Sequence, residues 1–293
     1  MNVLITSSGS TNGINIIRAL EGRVRIITTD SNELSAGLYM SDKFYVVPKA
    51  IDEKFKETII DICRRENIDI IFPSHSEEIS VFNKITELSD KLVLSPPKVY
   101  EMTQNKILCK AFLNSIDVLT PYKYPKEFPM IIKPIIGTGS KSTIKINNQK
   151  ELDFYNIKDT FYEEFIEGTE YTVIGVSDFD GKMICALPTI RIEKKGGLAV
   201  KSKTEKNYEL VSMVKNIVEN MGLVGVWNVQ CIKNGKYYFI DINNRFPSGS
   251  MPLATASGMN IPVILIYILK GKTVEPNLVY GKTSLRFYDS III

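Results

Sequence analysis

The sequence predicts an α/β fold in which an N-terminal parallel sheet is followed by a smaller α+β region and then by a C-terminal antiparallel sheet. Three observations carry that expectation. Residues 1 to about 95 alternate short apolar strands with helical stretches, the pattern of a parallel sheet covered by helices on both faces. Ser95-Pro96-Pro97 interrupts the alternation, because proline neither continues a helix nor donates within a central strand. Beyond about residue 160 the strands lengthen, and Asp178-Phe179-Asp180-Gly181 and Lys233-Asn234-Gly235-Lys236 read as hairpin turns between them. The predicted divisions are 1–96, 97–168 and 169–293.

In the first region strands are expected near 2–6, 24–28, 44–47, 69–72 and 92–94, with helices over Ile51–Glu66 and Glu77–Leu88. Val3–Gly13 is a short apolar strand that runs into a loop of glycines and small hydroxyl residues, after which Ile14, Ile17 and Leu20 continue as a helix. Such a loop places backbone N–H groups at a helix N-terminus, where a phosphate can sit. Asp30 closes the next strand, the position at which a Rossmann fold keeps its ribose-binding carboxylate. An NAD(P)-dependent oxidoreductase is therefore one reading. Tyr39-x-x-x-Lys43 adds little to it, lying just after the second strand and too early in the chain. His75 follows a sheet strand, where ligands often bind, and the competing reading is a helix N-cap by Ser74 or Ser76.

The middle region carries a helix around Asn105–Leu113 and a proline-rich connection through Pro121, Pro125 and Pro129. Met130-Ile131-Ile132-Lys133-Pro134 is then a strand that delivers a lysine. The antiparallel sheet is expected from Tyr171–Val176, Met183–Ile190, Val226–Ile232 and Tyr237–Ile242, with a helix over Tyr208–Met221 packed against it. Ile261–Leu269 is far short of the roughly 20 residues that span a bilayer, and is expected as a buried helix.

At 293 residues and 44% hydrophobic content, the chain can bury a sizeable core. The net charge of +3 is mild and the lysines are dispersed, so neither nucleic acid nor a membrane is expected as a partner. The start shows no basic segment followed by a long apolar run, which argues against a secretory signal. Cys63, Cys109, Cys185 and Cys231 have no paired spacing, which argues against zinc and against a disulfide framework, so a cytoplasmic protein is expected. A single histidine excludes multi-histidine metal clusters and mechanisms. Lys194–Lys203, the densest basic stretch, reads either as a solvated loop or as an anion contact.

The residues that carry chemistry lie further along. Lys106 sits on a helix, Lys133 closes an apolar strand, and Gly137-Thr138-Gly139-Ser140-Lys141-Ser142-Thr143 follows. A strand-borne lysine beside such a loop combines a point charge with donated N–H groups, a clamp for a polyphosphate. Phe161 to Val173 is an apolar strand, an acidic connector and a second strand; the connector can present backbone groups to an adenine while Glu170 accepts from ribose hydroxyls. Strand periodicity puts Asn228 and Gln230 on one face, and likewise Asp241 and Asn243. Four oxygen-bearing side chains then converge on neighbouring strands, a donor set suited to Mg²⁺ bound together with phosphates.

The ordered set Lys106, Lys133-Pro134, the Gly-Ser loop, Glu163-Glu164-Phe165-Ile166-x-Gly-x-Glu170, Asn228-x-Gln230 and Asp241-x-Asn243-x-Arg245 resembles the ATP-grasp superfamily, in particular a single module of the carbamoyl-phosphate synthase large chain. The likeness covers nearly the whole chain, with the first region resembling the Rossmann-like pre-ATP-grasp domain and the middle region a small lid subdomain. It implies that Lys106 and Lys133 hold ATP phosphates and that Gly137, Thr138, Gly139, Ser140, Lys141 and Ser142 close over them. It further implies Glu163, Glu164, Phe165 and Ile166 at adenine, Glu170 at ribose, and Gln230, Asp241 and Asn243 around one or two Mg²⁺, with Mn²⁺ as an alternative. Asn228 and Arg245 would orient a carboxylate and its acyl phosphate, and Arg191 would contact the substrate carboxylate or serve in a structural ion pair. The implied activity is an ATP-dependent carboxylate–amine or carboxylate–thiol ligase acting on small molecules, compatible with a homodimer. A non-catalytic ATP-binding module is the alternative. Asp241 stands where the family usually has Glu, and Asn244 replaces a usual proline.

Overall fold

The computed structural model describes residues 1–122, 127–137, 143–155 and 158–293. In the N-terminal region β1 (Asn2–Thr6), α1 (Thr11–Leu20), β2 (Arg25–Asp30), β3 (Lys43–Val46), α2 (Lys54–Arg65), β4 (Ile70–Pro73) and α3 (Ser76–Phe82) build a parallel sheet of order β3-β2-β1-β4. Both faces are apolar, as an all-parallel sheet requires. Val3 and Ile5 face α1, while Leu4 points the other way to meet Phe55, Ile59 and Ile62 of α2.

The fifth strand expected at 92–94 does not join this sheet. Leu94 makes an isolated antiparallel bridge to Gly225, and Ser95 Oγ accepts from Val224 N at 2.7 Å. Gly225 has φ +72° and a Cβ there would lie 2.3 Å from the Val93 carbonyl oxygen, so glycine is what lets this segment dock on the larger sheet. A short helix unforeseen in the sequence, α4 (Pro97–Gln104), follows with proline in its first turn, and α5 (Lys106–Ser115) is capped by Asn105.

The small sheet has order β6-β5-β7, from β5 (Met130–Pro134), β6 (Ile144–Ile146) and β7 (Thr160–Glu164), with α6 (Gln149–Phe154) between the last two. Alternation splits its faces. Met130, Ile132 and Ile146 form a small core, while Ile131 and Lys133 point to the other side, opposite Glu163 and Phe161.

The large sheet has order β12-β11-β8-β9-β10-β13, from β8 (Thr169–Ser177), β9 (Met183–Lys195), β10 (Leu198–Thr204), β11 (Gly225–Asn234), β12 (Lys236–Asn243) and β13 (Thr283–Leu285). The segment read as a loop at 194–203 is a hairpin instead: β9 runs on to Lys195, and Gly196 and Gly197 turn the chain with φ of +55° and +78°. One face of the sheet packs on α5 and α7 (Tyr208–Met221) through Val173, Trp227, Val229 and Cys231. The other face, with Ile174, Val176, Leu187 and Val226, shares a core with α8 (Met251–Ala256), α9 (Ile261–Leu269) and α1. No helix among the described residues is long and apolar enough to cross a membrane.

Trp227 is fully buried and donates to Ser177 Oγ at 2.8 Å. Its ring lies directly over Gly175, where an added Cβ would sit 2.0 Å from a ring carbon. Gly175→Ala should therefore overpack the centre of the large sheet and cost about 1–3 kcal/mol, read by urea denaturation followed through the fluorescence of this single tryptophan. An unchanged midpoint would contradict that packing.

Candidate functional site

The large-sheet face that carries Val226 deep in the core continues outward as Asn228 and Gln230. In register across the hairpin, Asn228 pairs with Asn243 and Gln230 with Asp241, so the four polar side chains stand as two cross-strand pairs on one face. Asn243 Nδ2 donates to Asp241 Oδ2 at 3.0 Å and lies 3.4 Å from Asn228 Oδ1. A bulge follows: Cys231 pairs with Phe239, and Ile240 is the extra residue. All four side chains, Ile240 and Arg245 line one cleft, together with Ile131, Lys133 and Glu164 from the small sheet and Phe165 and Ile166 of the connector.

Lys106 reaches this cleft from the first turn of α5, donating to the Gly137 carbonyl at 3.0 Å with its Nζ 3.6 Å from Asp241. Thr143 also lines the cleft, whereas Thr138, Gly139, Ser140, Lys141 and Ser142 lie outside the described residues. Glu170, expected at a ribose, is in the cleft and ion-paired with both Arg191 and Lys194. Arg191 also donates to Gln230 Oε1 at 3.2 Å and to the Gly197 carbonyl. Its Nε is buried with no hydrogen-bond partner among the described residues. Arg245 is desolvated, which lowers its pKa, while nearby Asp241 acts in the opposite direction.

Glu163 departs from the expectation that groups it with the adenine connector. Its carboxylate does not line the cleft; it lies beneath, bridging Lys133 at 2.5 Å and Lys110 at 2.7 Å. Its place on β7 is the reason: register sets it diagonal to Lys133, so that lysine and Lys110 hold its carboxylate, while the connector begins only after Glu164. Lys110 escaped sequence reasoning: a lysine one turn after another on an amphipathic helix looks like a solvated residue.

The oxygen donors at Asp241, Asn243 and Gln230 fit a magnesium ion that takes its remaining ligands from phosphates and water. Asp241 is the carboxylate in that set, and among the described residues no group of three or more His, Cys, Asp or Glu is placed to hold a metal. The four cysteines are free and buried, and burial pushes each thiol up to about 12. Asn244 donates to the Val224 and Val226 carbonyls at 3.1 and 2.9 Å, so it ties the end of β12 to β11 where a proline could not donate.

The opening loop is occupied by its own protein. Asp30 accepts from Gly9 N at 2.9 Å and Asn32 N at 3.0 Å, and Ser10 caps α1. A Cβ on Gly13 would lie 2.5 Å from the Ser8 carbonyl, so this glycine serves the tight strand-to-helix turn. Tyr39 and Lys43 go to separate partners, Glu33 and Glu66. At α3 the cap is His75 itself, whose Nδ1 accepts weakly from Glu77 N at 3.4 Å, because Ser74 is turned inward to Ser7 and Ser10.

Two sheets that close on a cleft lined by lysines, arginines and the acids Glu164, Glu170 and Asp241 define a nucleotide-binding grip. A family described as ATP-grasp domain matches residues 103–249, and one described as PylC-like, N-terminal domain matches 3–93. The chain belongs to the ATP-grasp family. It is 26% identical over 288 residues to a carbamoyl-phosphate synthase of Methanobrevibacter smithii, a match covering 86% of this chain and 76% of that one. It is 24% identical over 246 residues to a 3-methyl-D-ornithine–L-lysine ligase of Methanosarcina barkeri, covering 83% and 66%. The chain thus spans about two thirds to three quarters of these relatives. Among solved structures, an L-amino acid ligase from Bacillus licheniformis aligns with TM-score 0.76 and 17% identity over 96% of this chain and 78% of its own. The biotin carboxylase domain of Hydrogenobacter thermophilus 2-oxoglutarate carboxylase, solved with MgADP, aligns with TM-score 0.77 and 16% identity over 96% and 73%. These structures share the fold.

Beside the opening loop, Glu78 is buried with Thr6 Oγ1 donating to it at 2.5 Å, and desolvation pushes its carboxyl from 4.5 up to about 7. Between those two values the folded chain binds the proton that the unfolded chain has lost, so stability falls as pH rises from about 4.5 to about 7. The loss should be on the order of 3 kcal/mol. Glu78→Gln, which keeps an acceptor for Thr6 and cannot ionise, should flatten that dependence in urea melts taken at pH 5 and pH 8. Parallel pH profiles for the two proteins would contradict the assignment.

Proposed function

We propose that the chain is an ATP- and Mg²⁺-dependent ligase that activates a small-molecule carboxylate as an acyl phosphate and transfers the acyl group to an amine or a thiol. The observation that carries this reading is the cleft itself, where Lys106 and Lys133 stand on separate elements near Asp241, Asn243, Arg191 and Arg245. Lys106 and Lys133 bind the phosphates. Glu164, Phe165 and Ile166 hold adenine, and Glu170 accepts from the ribose. Gln230, Asp241 and Asn243 would hold one or two Mg²⁺ ions, which neutralise phosphate charge when bound.

Asn228, Arg245 and Arg191 orient the substrate carboxylate. One of its oxygens attacks the γ-phosphorus, the bond to the bridging oxygen of ADP breaks, and the acyl phosphate remains with ADP as the leaving group. The lysines and arginines stabilise charge spread over the transferring phosphoryl oxygens. The nucleophile then attacks the acyl carbon and inorganic phosphate departs. The lysine ligase and the L-amino acid ligase among the similar proteins support an amine as acceptor.

The test is ADP release from the purified chain across a panel of small acids and amino acids, with hydroxylamine to trap the acyl phosphate as a hydroxamate. Lys133→Ala should lower kcat/KM for ATP by about 100-fold or more, the scale of losing one preorganised donor to a transition-state oxyanion. An unchanged rate would overturn the site. Asp241→Asn should raise the Mg²⁺ concentration for half-maximal turnover by about tenfold or more, since loss even of a group supporting a metal ligand costs about 10–100-fold in affinity. Tight ATP binding with no ADP release across the panel would favour the non-catalytic module.

A further inference from the structure

We propose that Lys110 is a positioning residue for the ATP site: it neutralises Glu163, so that this buried carboxylate can fix Lys133 in place without cancelling its charge toward the phosphates. The inference rests on the reading of the cleft as an ATP site and adds to it a residue outside the cleft.

The geometry is a buried three-group cluster. Glu163 has a side chain 4% exposed and gives one oxygen to each partner, Oε1 to Lys110 at 2.7 Å and Oε2 to Lys133 at 2.5 Å. The lysine side chains are 8% and 11% exposed. Glu163 is forced into this contact by sheet register: Lys133 is paired with Phe161 and Ile131 with Glu163, so Glu163 is the diagonal neighbour of Lys133 on the same face. Lys110 comes from a different element, one helical turn beyond Lys106 on α5, in a pocket floored by Phe239, Ile240 and Asp241.

Charge counting gives the role. One carboxylate and two ammonium groups leave +1, and the member of the cluster that lines the cleft is Lys133. Without Lys110 the remaining Lys133–Glu163 pair is neutral, and the positive charge that the cluster presents to the polyphosphate is lost. In a poorly solvated region that charge is weakly screened. Burial lowers the pKa of Lys110, and Glu163 opposes that shift. A purely structural clasp between α5 and the small sheet would need the Lys110–Glu163 bond itself. The electrostatic role needs only that the acid be matched or absent.

That difference sets the experiment, calorimetric titration of the full chain with MgATP, which needs no turnover and no known acceptor. Lys110→Met should weaken binding about tenfold, the scale of one uncancelled charge at such range. Lys110→Met/Glu163→Gln should recover to within about threefold of the parent, as should Lys110→Arg. Unchanged affinity in Lys110→Met, or a double variant as weak as the single one, would overturn the proposal. If Lys110→Met alone does not fold, the double variant, which retains no unmatched acid, decides by the same threefold criterion. A parent chain that binds no MgATP would overturn the ATP reading itself, an outcome distinct from a parent that binds and variants that do not differ.

Discussion

Strand β11 is packed along one face and for the first part of the other, and the chemistry of the cleft depends on it. Trp227, Val229 and Cys231 are packed on the α7 side, and Val226 is buried on the other. A slip of one residue would bring Asn228 and Gln230 into an apolar core and expose a tryptophan to the cleft. Register is therefore specified by burial, and the polar pair inherits its direction from its apolar neighbours. Through the β11–β12 pairing the same constraint orients Asp241 and Asn243.

How far the sequence was legible follows from how local each signal is. The faces of Asn228, Gln230, Asp241 and Asn243 follow from a period of two, and their pairing from a short hairpin with glycine at its turn. The parallel sheet followed from alternating apolar runs, except at 92–94, where an apolar triplet says nothing about which sheet it will join. The hairpin at 194–203 hid behind its charges: Lys201 and Glu193 pair across it at 2.6 Å, so what read as solvated loop is cross-strand matching. Lys110 was the least legible, because its partner lies 53 residues away on another element.

The cleft keeps its cations engaged with its own acids. Arg191 and Lys194 rest on Glu170, Lys106 lies near Asp241, and Lys133 rests on Glu163. Such pairing satisfies each group while solvent has access, and an incoming anion competes for cations already held in place. Preorganisation of this kind limits the side-chain entropy that binding has to overcome.

The core shared by α1, α8, α9 and the inner face of the large sheet has a consequence for synthesis on the ribosome. Val3, Ile5, Ile16 and Leu20 emerge first, but the residues that cover them, Met251, Ala254, Ile261 and Leu265, are made about 250 residues later. During that interval the side of α1 that packs on α8 and α9 has no permanent cover. The N-terminal region is thus a unit in its strand pattern, while part of its core is completed only by helices from the other end of the chain.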